Sequence, residues 1–164
     1  MGDHTEVIAI DFDPELVSYE DLLKHFFVGH NCAVSFGGRQ YMNAVFYHDA
    51  GQKKLADQAR DAAARARGID PSEVKTGIFP ATDFTYAEEY HQKYALTRHP
   101  QVRKFLLATY PGPKALADST VATRLNAWLG GGLNNDRKAL REEIEGYGLP
   151  ESVERYVLAT LKRG

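Results

Sequence analysis

The sequence predicts an α+β fold, in which helices pack against a small sheet, followed by an all-helical extension. Over residues 5–94, segments of strand composition alternate with segments of helix composition. After His99-Pro100 only helical patterns remain. The charge also changes along the chain: residues 1–95 carry 9 Lys and Arg against 15 Asp and Glu, whereas residues 96–164 carry 11 against 7. We therefore expect a two-layer domain at residues 1–95 and a helical extension at residues 96–164.

Three segments of the first part are predicted to be short strands. They are rich in β-branched and aromatic residues and are bounded by turn residues such as Asp13-Pro14 and Pro80. The predicted strands are residues 5–12, 40–48 and 74–79. Because three strands make a thin sheet with two open edges, we expect self-association or a partner that covers the exposed sheet.

The helices are predicted from apolar spacing and from their caps. Ser18 should begin a helix that Gly29 ends, and residues 50–67 should form a helix that Gly68 stops. A third helix is predicted over residues 88–94. In the extension we expect helices at residues 101–109, 114–129, 136–146 and 151–162, with Val121, Leu125, Trp128 and Leu129 forming a buried stripe.

Composition and charge argue against several classes of protein. The net charge of -2 gives no reason to expect nucleic acid or a membrane surface as a partner. No apolar run approaches the length of a membrane span, and the acidic first 20 residues are unlike a signal peptide. A single cysteine, Cys32, allows no internal disulfide and no cysteine-based zinc site. We expect a cytoplasmic protein.

Four motifs occur in one order along residues 2–94. They are G-D-H-T-E-V at residues 2–7 with F-D-P at 12–14, S-Y-E-D-L-L at 18–23 with F-F at 26–27 and His30, R-Q-Y-M-N-A-V-F-Y-H at 39–48, and F-x-x-A-E-E-Y-H-Q at 84–92. In this order they resemble the A-type peptide-methionine (S)-sulfoxide reductase family. The extension lies outside the best-known core of that family.

The resemblance implies a ferredoxin-like reductase core and an activity in oxidative stress and protein repair. Members of the family reduce the S epimer of methionine sulfoxide, free or in proteins. A cysteine thiolate attacks the sulfur, the oxygen leaves as water, and a sulfenic acid is left for an external thiol such as thioredoxin or a dithiol to reduce. No bound cofactor or metal is expected.

The nucleophile of the family lies in a G-C-F-W-G motif upstream of the G-x-H-x-E strand, and this sequence contains no such motif. By resemblance, the chain lacks the first strands, the nucleophile helix and the cysteine (or selenocysteine) itself. We therefore expect an N-terminally truncated family member that is inactive as an isolated chain. The alternative is a non-catalytic module that binds methionine or methionine sulfoxide side chains, or a partner protein.

The resemblance also implies candidate site residues. Glu6 matches the carboxylic acid that donates a proton to the sulfoxide oxygen, and Tyr41 matches the tyrosine that hydrogen-bonds that oxygen. The positions that would shape or support the pocket are His4, Glu88, Tyr90 and His91. Phe36 stands where many relatives have an aspartate, five residues before the tyrosine.

Two further possibilities rest on the residues alone. Cys32 follows His30-Asn31 and could act as a substitute thiol, although a loop thiol without a role is the simpler interpretation. His4, His91 and nearby carboxylates are of metal-ligating types, but no H-x-x-x-H or H-E-x-x-H spacing appears. We predict no metal site.

Overall fold

The computed structural model describes residues 4–35, 37–132 and 136–160. Contacts divide the chain into an N-terminal unit, Met1–Phe84, and a C-terminal unit, Thr85–Gly164. The described part of the chain combines helices with one small sheet, so the α+β prediction is confirmed in its coarse form. The predicted boundary of a reductase-like domain at residue 95 stays a prediction.

The N-terminal unit contains a parallel pair of strands joined by a helix. Strand β1 (Ala44–Tyr47) pairs with β2 (Gly77–Pro80) in a register that sets Ala44 opposite Gly77 and Tyr47 opposite Pro80. Parallel pairing needs a long crossover, which α2 (Ala50–Arg67) and a 3-10 turn at Pro71–Glu73 provide. Helix α2 contacts both strands and also α1 (Tyr19–Val28).

The two helices of this unit begin and end where the sequence predicts. Ser18 Oγ accepts the backbone N–H of Asp21 at 3.1 Å, which satisfies a free donor in the first turn of α1. Asp49 caps α2 in the same way through the N–H of Gln52. Gly68 ends α2 with φ 68, a left-handed conformation that glycine adopts without steric cost. Both predicted helices are confirmed.

The predicted strands are only partly correct. Residues 5–12 form no strand, and the other two are shorter than predicted. A strand needs a ladder of backbone bonds, but the N–H of Glu6 to Gln40 O is the single backbone bond that ties residues 5–12 to another segment of the described chain. The apolar side chains of Val7, Ile8 and Ile10 are consequently 44%, 84% and 54% exposed.

The C-terminal unit is built from five helices and shorter 3-10 turns. The helices of its described part are α3 (Pro100–Thr109), α4 (Pro113–Asp118), α5 (Thr120–Leu129), α6 (Arg137–Ile144) and α7 (Glu151–Thr160). The prediction of one helix over residues 114–129 is wrong in one respect. Ser119 has an extended backbone and accepts the N–H of Ala122 at 3.1 Å, so it starts a new helix there. Residues 161–162 of the last predicted helix lie outside the described residues.

The prediction of a helix over residues 88–94 is also wrong. The structure has two 3-10 turns instead, Glu89–His91 and Tyr94–Arg98. Between them, Lys93 has a φ of 50, and a residue in the left-handed region cannot continue a right-handed helix.

The C-terminal unit has its own hydrophobic core. Its fully or almost fully buried members are Leu96, Val102, Leu106, Leu116, Ala122, Leu125, Trp128, Leu140, Ile144, Val153 and Val157. Leu125 and Trp128 are therefore buried as predicted, and Val121 and Leu129 are partly buried against them. Among the helices of the described residues, none is both long and apolar enough to cross a membrane.

An ion-pair network ties α5 to α6. The Arg124 guanidinium donates to both carboxylate oxygens of Glu143, one bond measuring 2.9 Å, and the Tyr147 hydroxyl donates to the same carboxylate at 2.5 Å. Burial alone would raise the pKa of Glu143, but the hydrogen bonds from Arg124 and Tyr147 outweigh it and lower that pKa. The ionised carboxylate therefore stabilises the fold above the ordinary pKa of a glutamate, and this stabilisation is lost as the pH falls through the lowered pKa.

We predict that Glu143→Gln lowers the free energy of unfolding of the C-terminal unit by about 1 kcal/mol at pH 7 and by much less near pH 3. Urea titrations followed by tryptophan fluorescence measure this unit selectively, because Trp128 is the single tryptophan of the chain. Glu142→Gln is the matched control, because the Glu142 side chain is 67% exposed and its ion pair with Lys138 is long, at 3.9 Å. Equal effects of the two variants at pH 7 would contradict the role of the network.

Candidate active site

Glu6 is attached to Gln40 by two hydrogen bonds. Its backbone N–H donates to Gln40 O at 2.9 Å, and the Gln40 Nε2 amide donates to Glu6 Oε1 at 2.8 Å. Beside them the Thr5 hydroxyl donates to Arg39 O at 3.0 Å. These bonds hold residues 5–6 against the end of the loop that precedes β1. We call this contact the Glu6–Gln40 clamp.

The clamp bonds Glu6 to Gln40, which is the residue before Tyr41. Tyr41 is the residue after Gln40 and lies in a turn ahead of β1, not in the strand where the sequence analysis predicted it. Its side chain is 58% exposed, and Glu6 is exposed as well. Both side chains are therefore accessible to a ligand.

Such a pair can act on an oxygen atom that is gaining negative charge. A phenol donates one hydrogen bond, and a carboxylic acid can donate a hydrogen bond or transfer its proton. The two positions therefore fit the roles that the sequence analysis predicted for them, and those roles stay a prediction.

The predicted supporting residues lie in different parts of the chain. His4 is exposed at the start of the clamp segment. The other three belong to the C-terminal unit, in and beside the 3-10 turn Glu89–His91. There the Glu88 carboxylate lies 3.9 Å from His91 Nε2, and the rings of Tyr90 and His91 are 4.2 Å apart between centroids. Gly2, Asp3 and Phe36 of the compared motifs lie outside the described residues.

Cys32 lies in a core and not at the clamp. Its exposure is 0%, and it belongs to a cluster with Phe27 of α1 and Ala63 of α2. The loop that carries it is fixed, because Cys32 O accepts the N–H of Lys75 at 2.7 Å. A thiol enclosed in this way cannot meet a solvent-borne sulfoxide without local unfolding.

His30, next to this loop, is fixed as well. Its Nδ1 bonds to Phe26 O at 2.7 Å and its Nε2 to the hydroxyl of Thr76 at 2.9 Å. A carbonyl only accepts hydrogen bonds, so Nδ1 carries a proton. Arg67 Nη2 donates to His30 O at 2.7 Å, which joins the same loop to α2.

The sequence analysis missed the role of one residue of the site. Gln40 entered it only as part of a motif, whereas the structure shows it bonded to Glu6 through both main chain and side chain. Its position beside Tyr41 in the motif was the one available signal.

The described residues contain no group of three or more His, Cys, Asp or Glu side chains that could hold a metal ion together.

Comparison with known proteins shows the family to which the chain belongs. Residues 1–124 match the family described as peptide methionine sulfoxide reductase, and the chain belongs to that family. The matched residues extend past the boundary predicted at residue 95 and into the helices of the C-terminal unit.

Individual relatives agree with this assignment. The chain is 39% identical to a peptide methionine sulfoxide reductase of Drosophila melanogaster over 132 residues, which are 80% of this chain and 52% of the relative. It is 37% identical to MsrA 1 of Synechocystis sp. over 106 residues, or 61% and 47% of the two chains. It is 35% identical to MsrA of Mycobacterium tuberculosis over 137 residues, or 79% and 74%. The chain thus spans about half the length of the first two relatives.

We predict that Cys32 resists thiol reagents in the folded protein. Its labelling by an aromatic disulfide should be at least about 100-fold slower in buffer than in concentrated urea, because reaction requires opening of the core. Ser152→Cys places a second thiol on the exposed surface of α7 as an internal control. That variant should take up one label at once in buffer and two in urea; immediate uptake of two labels in buffer would contradict the burial of Cys32.

Proposed function

We propose that this chain supplies the acid and hydroxyl side of a methionine sulfoxide pocket. Glu6 donates a proton to the sulfoxide oxygen, and Tyr41 donates a hydrogen bond to the same oxygen. The substrate is methionine-S-sulfoxide, free or within a polypeptide. Membership of the reductase family supports this proposal, and the single observation that carries it is the clamp, which holds the Glu6 carboxyl next to the turn that carries Tyr41.

The proposed chemistry follows from the charge that develops on the oxygen. When a thiolate attacks the sulfur, electrons move onto oxygen, which becomes basic and takes up protons. A carboxylic acid at Glu6 supplies one proton, and the Tyr41 hydroxyl stabilises the charge until the transfer is complete. Oxygen then leaves as water, and hydrolysis of the sulfur–sulfur cation yields methionine and a sulfenic acid on the attacking sulfur.

We also propose that these 164 residues do not complete this reaction by themselves. The reaction requires a thiolate at the sulfoxide sulfur, and the single cysteine of the sequence is enclosed between α1 and α2. A thiol or selenol from outside these residues must therefore attack. A thioredoxin-type protein or a small dithiol would reduce the resulting sulfenic acid. A cytoplasmic location and roles in oxidative stress and protein repair stay predictions.

The burial of Cys32 also favours the second function that the sequence suggests. Without an accessible thiol, the same two side chains can bind a sulfoxide oxygen and not transform it. On this proposal the chain is a recognition module for oxidised methionine side chains. Both functions use Glu6 and Tyr41, so they share the binding step and differ in turnover.

We further propose that a β-strand from another polypeptide pairs with residues 7–10. This segment is apolar and exposed, belongs to no helix or strand, and has no ladder of backbone bonds in the described part of the chain. Unpaired backbone groups beside exposed apolar side chains are the usual template for strand addition. In a solution of the chain alone, a second copy would serve as the partner.

The binding step is tested by calorimetry with a short peptide that contains methionine-S-sulfoxide. We expect Tyr41→Phe and Glu6→Ala each to weaken binding by about 10-fold or more, because each removes a hydrogen bond to the oxygen. Tyr94→Phe is the matched control, since Tyr94 is 57% exposed, nearly as much as Tyr41. Equal affinity of the wild-type chain and the Tyr41→Phe variant would refute the pocket.

The absence of turnover is tested with dithiothreitol and chromatographic detection of methionine. We expect no product above the uncatalysed rate, both for the wild-type chain and for Cys32→Ser. Product formed by the wild-type chain and lost in Cys32→Ser would show that Cys32 is a working nucleophile after all.

Self-association is tested by sedimentation. The wild-type chain should sediment as a dimer or larger species, and Ile8→Lys should shift it toward the monomer, because a charge at this exposed position opposes strand pairing. Lys24→Ile is a useful opposite control, since it adds apolar surface elsewhere in the same unit. A monomeric wild-type chain would contradict the proposal.

A further inference from the structure

A surface cavity of about 480 Å³ lies within the C-terminal unit. Of the predicted site residues only Tyr90 lines it, and neither Glu6 nor Tyr41 does. Four of its lining residues, at positions 100, 103, 104 and 107, fall on one face of α3, and the others come from the two preceding 3-10 turns. The lining residues are Tyr90, Thr97, Pro100, Arg103, Lys104 and Leu107. The volume is within the range of sites that hold small ligands or single side chains.

The cavity has more hydrogen-bond donors than acceptors. Arg103 Nη2 donates to Glu89 at 2.9 Å, but Arg103 Nε is shielded from solvent and has no hydrogen-bond partner within the described residues. A buried N–H without an acceptor is costly, and a ligand oxygen would satisfy it. Lys104 is exposed beside it and has no ion-pair partner in the described ranges. The cavity therefore attracts an anion.

Charge decides which anion fits best. Glu89 already neutralises one of the two cations, so about one positive charge remains for a ligand. A carboxylate carries one negative charge and can pair with the Lys104 ammonium and, once the Arg103 side chain turns its shielded Nε–H toward the cavity, with that N–H. A phosphate dianion would bring a second negative charge toward the Glu89 carboxylate.

The apolar part of the lining indicates what the carboxylate is attached to. Tyr90, Pro100 and Leu107 offer apolar surface beside the two cations. An aspartate or glutamate side chain has a short hydrocarbon stem that such a surface can contact. We propose that this cavity, the α3 acidic-peptide site, binds an acidic side chain of a polypeptide through Arg103 and Lys104.

The test is fluorescence anisotropy with a labelled peptide that contains glutamate and no methionine, and its twin with glutamine. The 164-residue chain should bind the acidic peptide at least 10-fold more tightly than the twin. Lys104→Glu should reduce this binding by at least 10-fold. Lys138→Glu makes the same charge change at a side chain that is 89% exposed and outside the cavity, and it should leave binding within about twofold.

A second variant separates recognition from folding. Glu89→Gln removes the carboxylate that competes for Arg103, so it should strengthen binding of the acidic peptide by about threefold or more. A purely structural role for the Glu89–Arg103 pair would produce weaker binding or none. Competition by sodium acetate and by inorganic phosphate distinguishes the class of anion.

Three results would overturn the proposal. They are equal affinity for the two peptides, unchanged binding by Lys104→Glu, and more effective competition by phosphate than by acetate. The peptide lacks methionine, so failure of the oxidised-methionine pocket would not affect this experiment, and failure here would leave that pocket standing.

Discussion

The Glu6–Gln40 clamp is the contact on which the functional interpretation depends. Two hydrogen bonds, of 2.9 and 2.8 Å, join a segment that has no sheet ladder to the turn that carries Tyr41. The side-chain bond is exposed, and an exposed hydrogen bond contributes little stability by itself. Together they nevertheless hold the Glu6 carboxyl beside Gln40, the residue that precedes Tyr41. The site is therefore only as well ordered as this contact.

The acid and hydroxyl groups are accessible, whereas the thiol is not. Cys32 is enclosed by Phe27 and Ala63, and its loop is fixed by Lys75 on one side and by the bonded His30 beside it. On the proposed function, the groups that act on the sulfoxide oxygen are exposed and the thiol is enclosed, whereas the reductase reaction needs both at one sulfur–oxygen group. This separation is the physical reason to propose binding without turnover for these residues alone.

The sequence predicts the helices of this protein better than its strands. Helix ends are set by neighbouring residues: Ser18, Asp49 and Gly68 act through bonds and dihedral angles within one turn, so local patterns reveal them. A strand exists only when a partner is available, and no local pattern reveals that residues 5–12 would find one backbone bond. The turn at Lys93 was missed for a similar reason, because nothing in its residue type predicts a left-handed backbone.

The site residues show the same contrast. Motif order predicted Glu6 and Tyr41 as site residues, which stays a prediction, and the comparisons confirm the family. The role of Gln40 follows only from three-dimensional pairing between residues 34 positions apart. The buried state of Cys32 could not be predicted locally either, because it depends on packing against Phe27 of α1 and Ala63 of α2. The α3 acidic-peptide site could not be predicted either, since it depends on which nitrogen of Arg103 the Glu89 carboxylate leaves free.

The most direct measurement of the central claim is the affinity of the Gln40→Ala variant for a methionine-S-sulfoxide peptide, compared with Glu6→Ala and with the double variant. If the clamp positions Glu6, the loss in Gln40→Ala should approach the loss in Glu6→Ala, and the double variant should bind no more weakly than Glu6→Ala, since the two changes remove one interaction. Wild-type affinity in Gln40→Ala, or losses that add in the double variant, would contradict the account.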